Sequence, residues 1–238
     1  MWLAIDTSGC DASLAWFDPH AEPGSAPLWQ RRVSAGRSHN TRLFGPLAEA
    51  MGLDMATGLT AIVVGTGPGS YTGIRIGIAC ALGIALQREQ VHIYPWPSCT
   101  AMQPGADENA AAVDPLSHHD PTRDYLLLGD ARRGRFSLCQ VRDGRLVEPP
   151  RLLDRGPLVE GWLHGRDSLP LWTNDPDPAA LGAALGLAPG ALTPVRADAH
   201  QLALRVAALD EAERQSLTIE PPAPIYLAAP FVTRPKAR

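Results

Sequence analysis

Lysine is almost missing from this chain of 238 residues: of 21 basic side chains, only Lys236 is a lysine. That scarcity excludes chemistries needing an ammonium in the body of the protein, such as a Schiff base or the phosphate-cradling lysine of a P-loop. Cysteine is scarce too. Cys10, Cys80, Cys99 and Cys139 are widely spaced with no CxxC pair, so they read as free thiols and not as a disulfide framework or zinc site. No apolar run reaches the roughly 18 residues that a membrane-spanning helix needs. The start, MWLAIDTSG, lacks a basic region and meets Asp6 at once, unlike a secretory signal; the expected location is the cytoplasm. Excess positive charge is also absent. A net charge of −4 offers no general field for nucleic acid. Neither residues 1–97, with 6 basic and 7 acidic side chains, nor the remainder, with 15 and 18, is polarised.

What remains is ordinary globular material. Hydrophobic residues make up 45% and charged residues 19% of the chain, enough for a real core in one domain or two small lobes. With 22 glycines and 23 prolines the chain is loop-rich, yet short of a disordered composition.

The pattern of apolar residues predicts strands over 2–6, 12–17 and 27–33, a helix over 40–51, a buried strand over 60–65, a helix over 73–87 and a strand over 91–95. This order suggests a three-stranded meander followed by parallel crossovers. Pro95, Pro97 and Pro104 mark a boundary, and residues 103–123 read as a surface insertion. Strand-like runs resume at 124–132, 135–141 and 145–153. Short helices follow at 157–165 and 178–187 with a strand at 169–173 between them, then a helix at 200–209. The order β-β-β-α-β-α thus occurs twice. It predicts an α/β protein of two similar lobes facing a cleft, 1–97 and 98–238; a return of the last residues to the first lobe stays open.

The strongest local signal is GTGPGSYTGIRIG at 65–77, between a strand and a helix. Glycines permit positive φ and close backbone approach, and a helix N-terminus offers N–H groups to an anion. The loop is not a P-loop, because no lysine follows. Nor is it G-x-G-x-x-G, since after Gly67 and Gly69 the third position is Thr72. A tight structural turn and a phosphate site both remain open. Asp6-Thr7-Ser8 ends the first strand, where a carboxylate beside hydroxyls either caps a turn or holds a magnesium–phosphate complex. A candidate nucleotide site therefore comprises Asp6, Thr7, Ser8, Gly67, Gly69, Ser70 and Thr72. Gly73, Gly77, Ala81 and Ala85 form a stripe of small residues on one helical face, with Ile74 and Ile78 beside it. Such a stripe serves either core packing or an interface. The helix carrying Leu43, Leu47 and Met51 is its natural companion in a partner or dimer surface. His39 faces Leu43 four residues on, so no second metal ligand follows. His118, His119 and Asp120 read as solvated. Arg132, Arg133 and Arg135 read as a hairpin or an RNA phosphate contact. No catalytic residue and no metal site emerge.

LAIDTS, SHNTRLFGPL, VGTGPGSYTGIRIGIACALGIAL, GDARRGR and PIYLA occur in an order that resembles the bacterial TsaB (YeaZ) family. The resemblance is dense over 1–100 and reduces to islands at 129–135 and 224–228. It implies an actin-like, two-lobed fold of the ribonuclease H-like class. It further implies a non-catalytic subunit of tRNA threonylcarbamoyladenosine (t6A) synthesis, pairing with a TsaD-like transferase and a TsaE-like ATPase, and forming a homodimer when alone. Contact with tRNA would then be indirect. The lone His39 suits a paralogue without the metal-binding histidine pair. Weak ATP or ADP binding stays open, as does the alternative of an actin-like ATPase or phosphotransferase. Two features depart from the family: Ala228 stands where it has arginine, and the 103–123 and 147–178 stretches have no evident counterpart.

Overall fold

The structure is a computed structural model and describes residues 1–22, 25–34, 43–88, 90–104, 124–163 and 169–227. His39, His118, His119, Asp120, Ala228 and most of the 103–123 insertion lie outside the described residues.

The first lobe is built on β1 (Trp2–Asp6), β2 (Asp11–Phe17), β3 (Trp29–Ser34), β4 (Ala61–Gly65) and β5 (His92–Trp96), in the sheet order β3-β2-β1-β4-β5. β2 pairs antiparallel with β1 and β3 antiparallel with β2, while β4 and β5 run parallel to β1. β1 and β4 are buried along their whole length, as expected of central strands covered on both faces. Edge strand β3 carries Arg31 and Arg32, charges that discourage edge-to-edge pairing.

Side chains two apart share a face, and the two faces have separate covers. Leu3, Ile5, Leu14, Trp16, Ile62 and Val64 pack under α1 (Phe44–Gly52) and α2 (Tyr71–Ala85). Trp2, Ala4, Ala15, Phe17, Ala61 and Val63 pack instead against α5 (Ala199–Ala207), which belongs to the far end of the chain.

The second sheet comprises β6 (Met102–Pro104), β7 (Tyr125–Asp130), β8 (Arg135–Arg142), β9 (Arg145–Leu146), β10 (Arg151–Asp154), β11 (Leu171–Thr173) and β12 (Leu192–Ala197). Its order is β10-β8-β7-β11-β12-β6, with β9 on β8. The run β10-β8-β7-β11-β12 repeats the arrangement of the first sheet, so the protein has the two-lobed, actin-like α/β architecture. α3 (Arg155–Leu158), continued by a wider turn over 159–163, and α4 (Pro178–Leu185) cover one face through Leu158, Leu181 and Leu185. Asp177 caps α4, Pro178 opens it and Gly186 ends it at φ 74°, the start and stop chemistry expected of a short helix. After α5 the chain makes α6 (Glu211–Ser216), capped by a reciprocal Asp210–Glu213 pair.

Some boundaries differ from those predicted. The 145–153 run divides into β9 and β10, because Pro149 and Pro150 cannot donate to a ladder. β12 escapes sequence reading because Pro194 interrupts its alternation.

Candidate functional site

The chain brings Asp6, Thr7, Ser8, Gly67, Gly69 and Ser70 together at the ends of β1 and β4. Each hydrogen bond there closes the place instead of opening it. Asp6 is 1% exposed, and its Oδ1 accepts from the Ser8 amide at 2.9 Å and the Ser8 hydroxyl at 2.7 Å. The Ser70 amide donates to Ser8 O at 2.7 Å, and the Thr7 hydroxyl to Gly73 O at 2.7 Å. Gly67 N–H donates to Ser98 Oγ at 3.0 Å. The glycines are required by this contact: a Cβ on Gly69 would strike Ser8 O, and one on Gly73 would strike Thr7 O. Burial pushes the Asp6 carboxyl above its ordinary range, opposed by the hydroxyls of Ser98 and Ser8. The β1–β2 turn thus packs directly on the loop and the first turn of α2. Asp6 Oδ2 is buried with no hydrogen-bond partner among the described residues. The loop makes a tight packing turn. Thr72 stands apart, exposed at the outer start of α2.

The small-residue stripe is corrected in the same way. Gly73, Ile74, Gly77, Ile78 and Ala81 are buried, and a Cβ on Gly77 would collide with Thr7 Oγ1. The stripe allows α2 to approach β1 closely; it does not face a partner. Leu43 and Leu47 turn into the same core from α1, whose end is held by Trp16 Nε1 donating to Ala50 O at 3.0 Å. Met51 and Ala85 remain half-buried.

The opposite faces of the two helices are open and apolar. Phe44 and Met51 from α1, with Ile76, Ala79, Cys80, Gly83 and Ile84 from α2, line a groove of about 610 Å³. Leu82 and Leu86 extend the apolar surface, Leu86 being 86% exposed. Sequence reading named Leu47 and Met51 but missed the rest of this lining. The available signal was that α2 is apolar on every side except at Arg75; such a helix is covered on more than one side.

Arg132, Arg133 and Gly134 all adopt positive φ, at 70°, 59° and 73°, in the turn between β7 and β8. Arg132 pairs with Asp130 at 3.4 Å, Arg135 stands opposite Asp154 across β8 and β10, and Asp175 joins Asp130 from the next loop. The carboxylates of Asp130, Asp154 and Asp175 thus lie around the turn that carries the basic cluster. All four cysteines are unbridged. Among the described residues no group of metal-ligating side chains forms, and no helix is long and apolar enough to cross a membrane.

Residues 33–145, a little under half of the chain, match the family model of TsaD, tRNA N6-adenosine threonylcarbamoyltransferase. No curated protein matches. A crystal structure of an uncharacterized protein with similarity to peptidase YeaZ, from Pseudomonas aeruginosa, is similar with a TM-score of 0.65 at 20% identity, over 95% of this chain and 99% of that one. YeaZ from Pseudomonas aeruginosa is similar with a TM-score of 0.58 at 19% identity, over 94% and 99%. The resemblance drawn from the sequence motifs is met at both levels: the chain is similar in fold to YeaZ over about 95% of its length, and its residues 33–145 match the TsaD family model.

Proposed function

We propose that this protein is a non-catalytic scaffold of tRNA threonylcarbamoyladenosine synthesis, docking a TsaD-like threonylcarbamoyltransferase through the α1–α2 groove. The transfer chemistry belongs to that partner, assisted by a TsaE-like ATPase, and a second copy of the chain takes the same surface when the partner is absent. The observation that carries this reading is the exposed apolar groove between α1 and α2. Exposed apolar patches of this kind mark association surfaces, and an apolar centre supplies most of the affinity.

Co-expression with a TsaD-like protein from the same cell tests it. Ala79 is exposed and lines the groove, so Ala79→Arg leaves the fold intact while placing a guanidinium where the contact must be dry. The expected result is a folded monomer by light scattering that no longer co-purifies with the partner. A folded Ala79→Arg protein that still forms the complex overturns the reading, as does robust nucleotide hydrolysis by the isolated chain that Asp6→Ala abolishes.

A further inference from the structure

Residues 221–227 form a strap that reaches the first lobe, where Ile225 N–H donates to Thr66 O at 2.8 Å. This seats Tyr226 on Tyr71, the first residue of α2, with ring centroids 5.1 Å apart and planes at 30°. One turn along, Arg75 holds its guanidinium 5.3 Å from the centre of the Tyr71 ring and donates to Tyr71 Oη at 3.0 Å. A clasp for the strap would bury these rings. They stay 44% and 45% exposed, and Tyr226 has one ring partner among the described residues.

The surroundings have a definite charge. Residues 65–85 and 221–227 contain no carboxylate, and Arg75 is their one charged side chain. Among the described residues it makes no ion pair. The flanking residues Gly69, Ser70 and Thr72 are small, polar or both, and open to solvent in whole or part. On this side small or polar residues, and not the apolar contacts that exclude water from a protein hot spot, border the rings. Stacked aromatic rings beside an uncompensated arginine suit a ligand carrying a flat base and a phosphate.

We propose that Tyr226, Tyr71 and Arg75 form a stacking site for an unpaired base of single-stranded RNA, with Arg75 taking the adjoining phosphate. This goes beyond the scaffold reading, and it is tested on the isolated full chain so that the two fail separately. The probe is a fluorescently labelled, unstructured A-rich RNA nonamer, followed by anisotropy at low salt, with a duplex of equal length as control. The nonamer is expected to bind and the duplex to bind about tenfold more weakly or worse, because paired bases offer no free face. Tyr226→Ala should weaken the nonamer about tenfold, and Tyr226→Phe should leave it unchanged. Arg75→Gln should weaken it and lower the salt slope by about one. Thermal melts check folding; if Tyr226→Ala does not fold, Arg75→Gln and the duplex control decide. The proposal is overturned if the nonamer does not bind, if neither Tyr226→Ala nor Arg75→Gln changes its affinity, or if Tyr226→Ala disrupts only the complex with a TsaD-like protein.

Discussion

Asp6 shows what a single side chain does when its strand end is closed over. Its carboxyl is held above the ordinary value of 3.8, chiefly by burial. Between that value and the raised one the folded protein binds a proton that the unfolded chain has released. The stability contributed by this group is complete below 3.8 and is lost as pH rises through the raised value. Asp6→Asn keeps an oxygen for the two Ser8 donors and removes the titration. The melting temperature of Asp6→Asn relative to the parent is therefore expected to rise as pH climbs above the ordinary carboxylate value and to level off above the raised one, read by circular dichroism; a flat difference would contradict this account. Two glycines of α2 make a second residue-scale contrast. Gly83 has nothing within 4 Å of the position a Cβ would take, whereas one on Gly77 meets Thr7 Oγ1. In urea titrations Gly83→Ala should stabilise by up to ~1 kcal/mol through helix propensity. Gly77→Ala should destabilise by about 1–3 kcal/mol through overpacking.

Among the elements, α2 is the one used on two sides. Its Gly73–Gly77–Ala81 side lies on β1 and β4, and its Ile76–Ala79–Gly83 side lines the groove. Identical substitutions on the two sides therefore have different consequences. Ala81 is 0% exposed, so Ala81→Arg forces a charge into the core of the first lobe and should cost several kcal/mol of folding stability. Ala79→Arg should leave the melting temperature nearly unchanged and abolish association. Comparing the two by thermal melt and light scattering separates core from interface. α5 poses the same kind of question from the other end of the chain. Leu202 is fully buried against the first sheet, and Leu202→Ala should cost about 2–5 kcal/mol.

At the scale of the molecule, the two sheets are tied together by more than a linker. Asp198 caps α5 by accepting from Gln201 N–H at 2.9 Å. Its other oxygen accepts from Gln30 at 2.8 Å and Arg32 at 3.0 Å on the edge strand of the first sheet. Arg32 also donates to Ala197 O at 2.9 Å, and the Ala199 amide donates to Ser13 Oγ at 3.0 Å. Because α5 covers a whole face of the first sheet, a fragment of residues 1–97 would expose Trp2, Phe17 and Val63. Such a fragment is expected to aggregate or to melt without a cooperative transition, whereas the intact chain unfolds in a single step. A soluble, cooperatively folding 1–97 fragment would refute that dependence.

Much of the fold is written locally. The unbroken apolar runs at 2–5 and 61–65 state their burial on two faces, and the turn residues between runs set most of the strand boundaries. Asp177, Pro178 and Gly186 announce α4 at both ends. These are short-range properties, and they suffice for two β-β-β-α-β-α units. The stripe of Gly73, Gly77, Ala81 and Ala85 is equally visible, but periodicity says only that these residues share a face. Which neighbour that face meets depends on contacts across 66 positions, such as Thr7 Oγ1 to Gly73 O. The same limit applies to Asp6: spacing places it beside hydroxyls, while its closure depends on Ser8 and Ser70 meeting across the first lobe. The pairing of Tyr71 with Tyr226 joins residues distant in the chain and leaves no periodic trace. Local pattern was enough for most elements and for their order, because those follow from propensity and periodicity, but not for β6, β12 or α6, which are short or interrupted by proline. Which faces of α2 are core and which are surface was settled by the packed fold, because burial is a property of what packs against a face and not of the face alone.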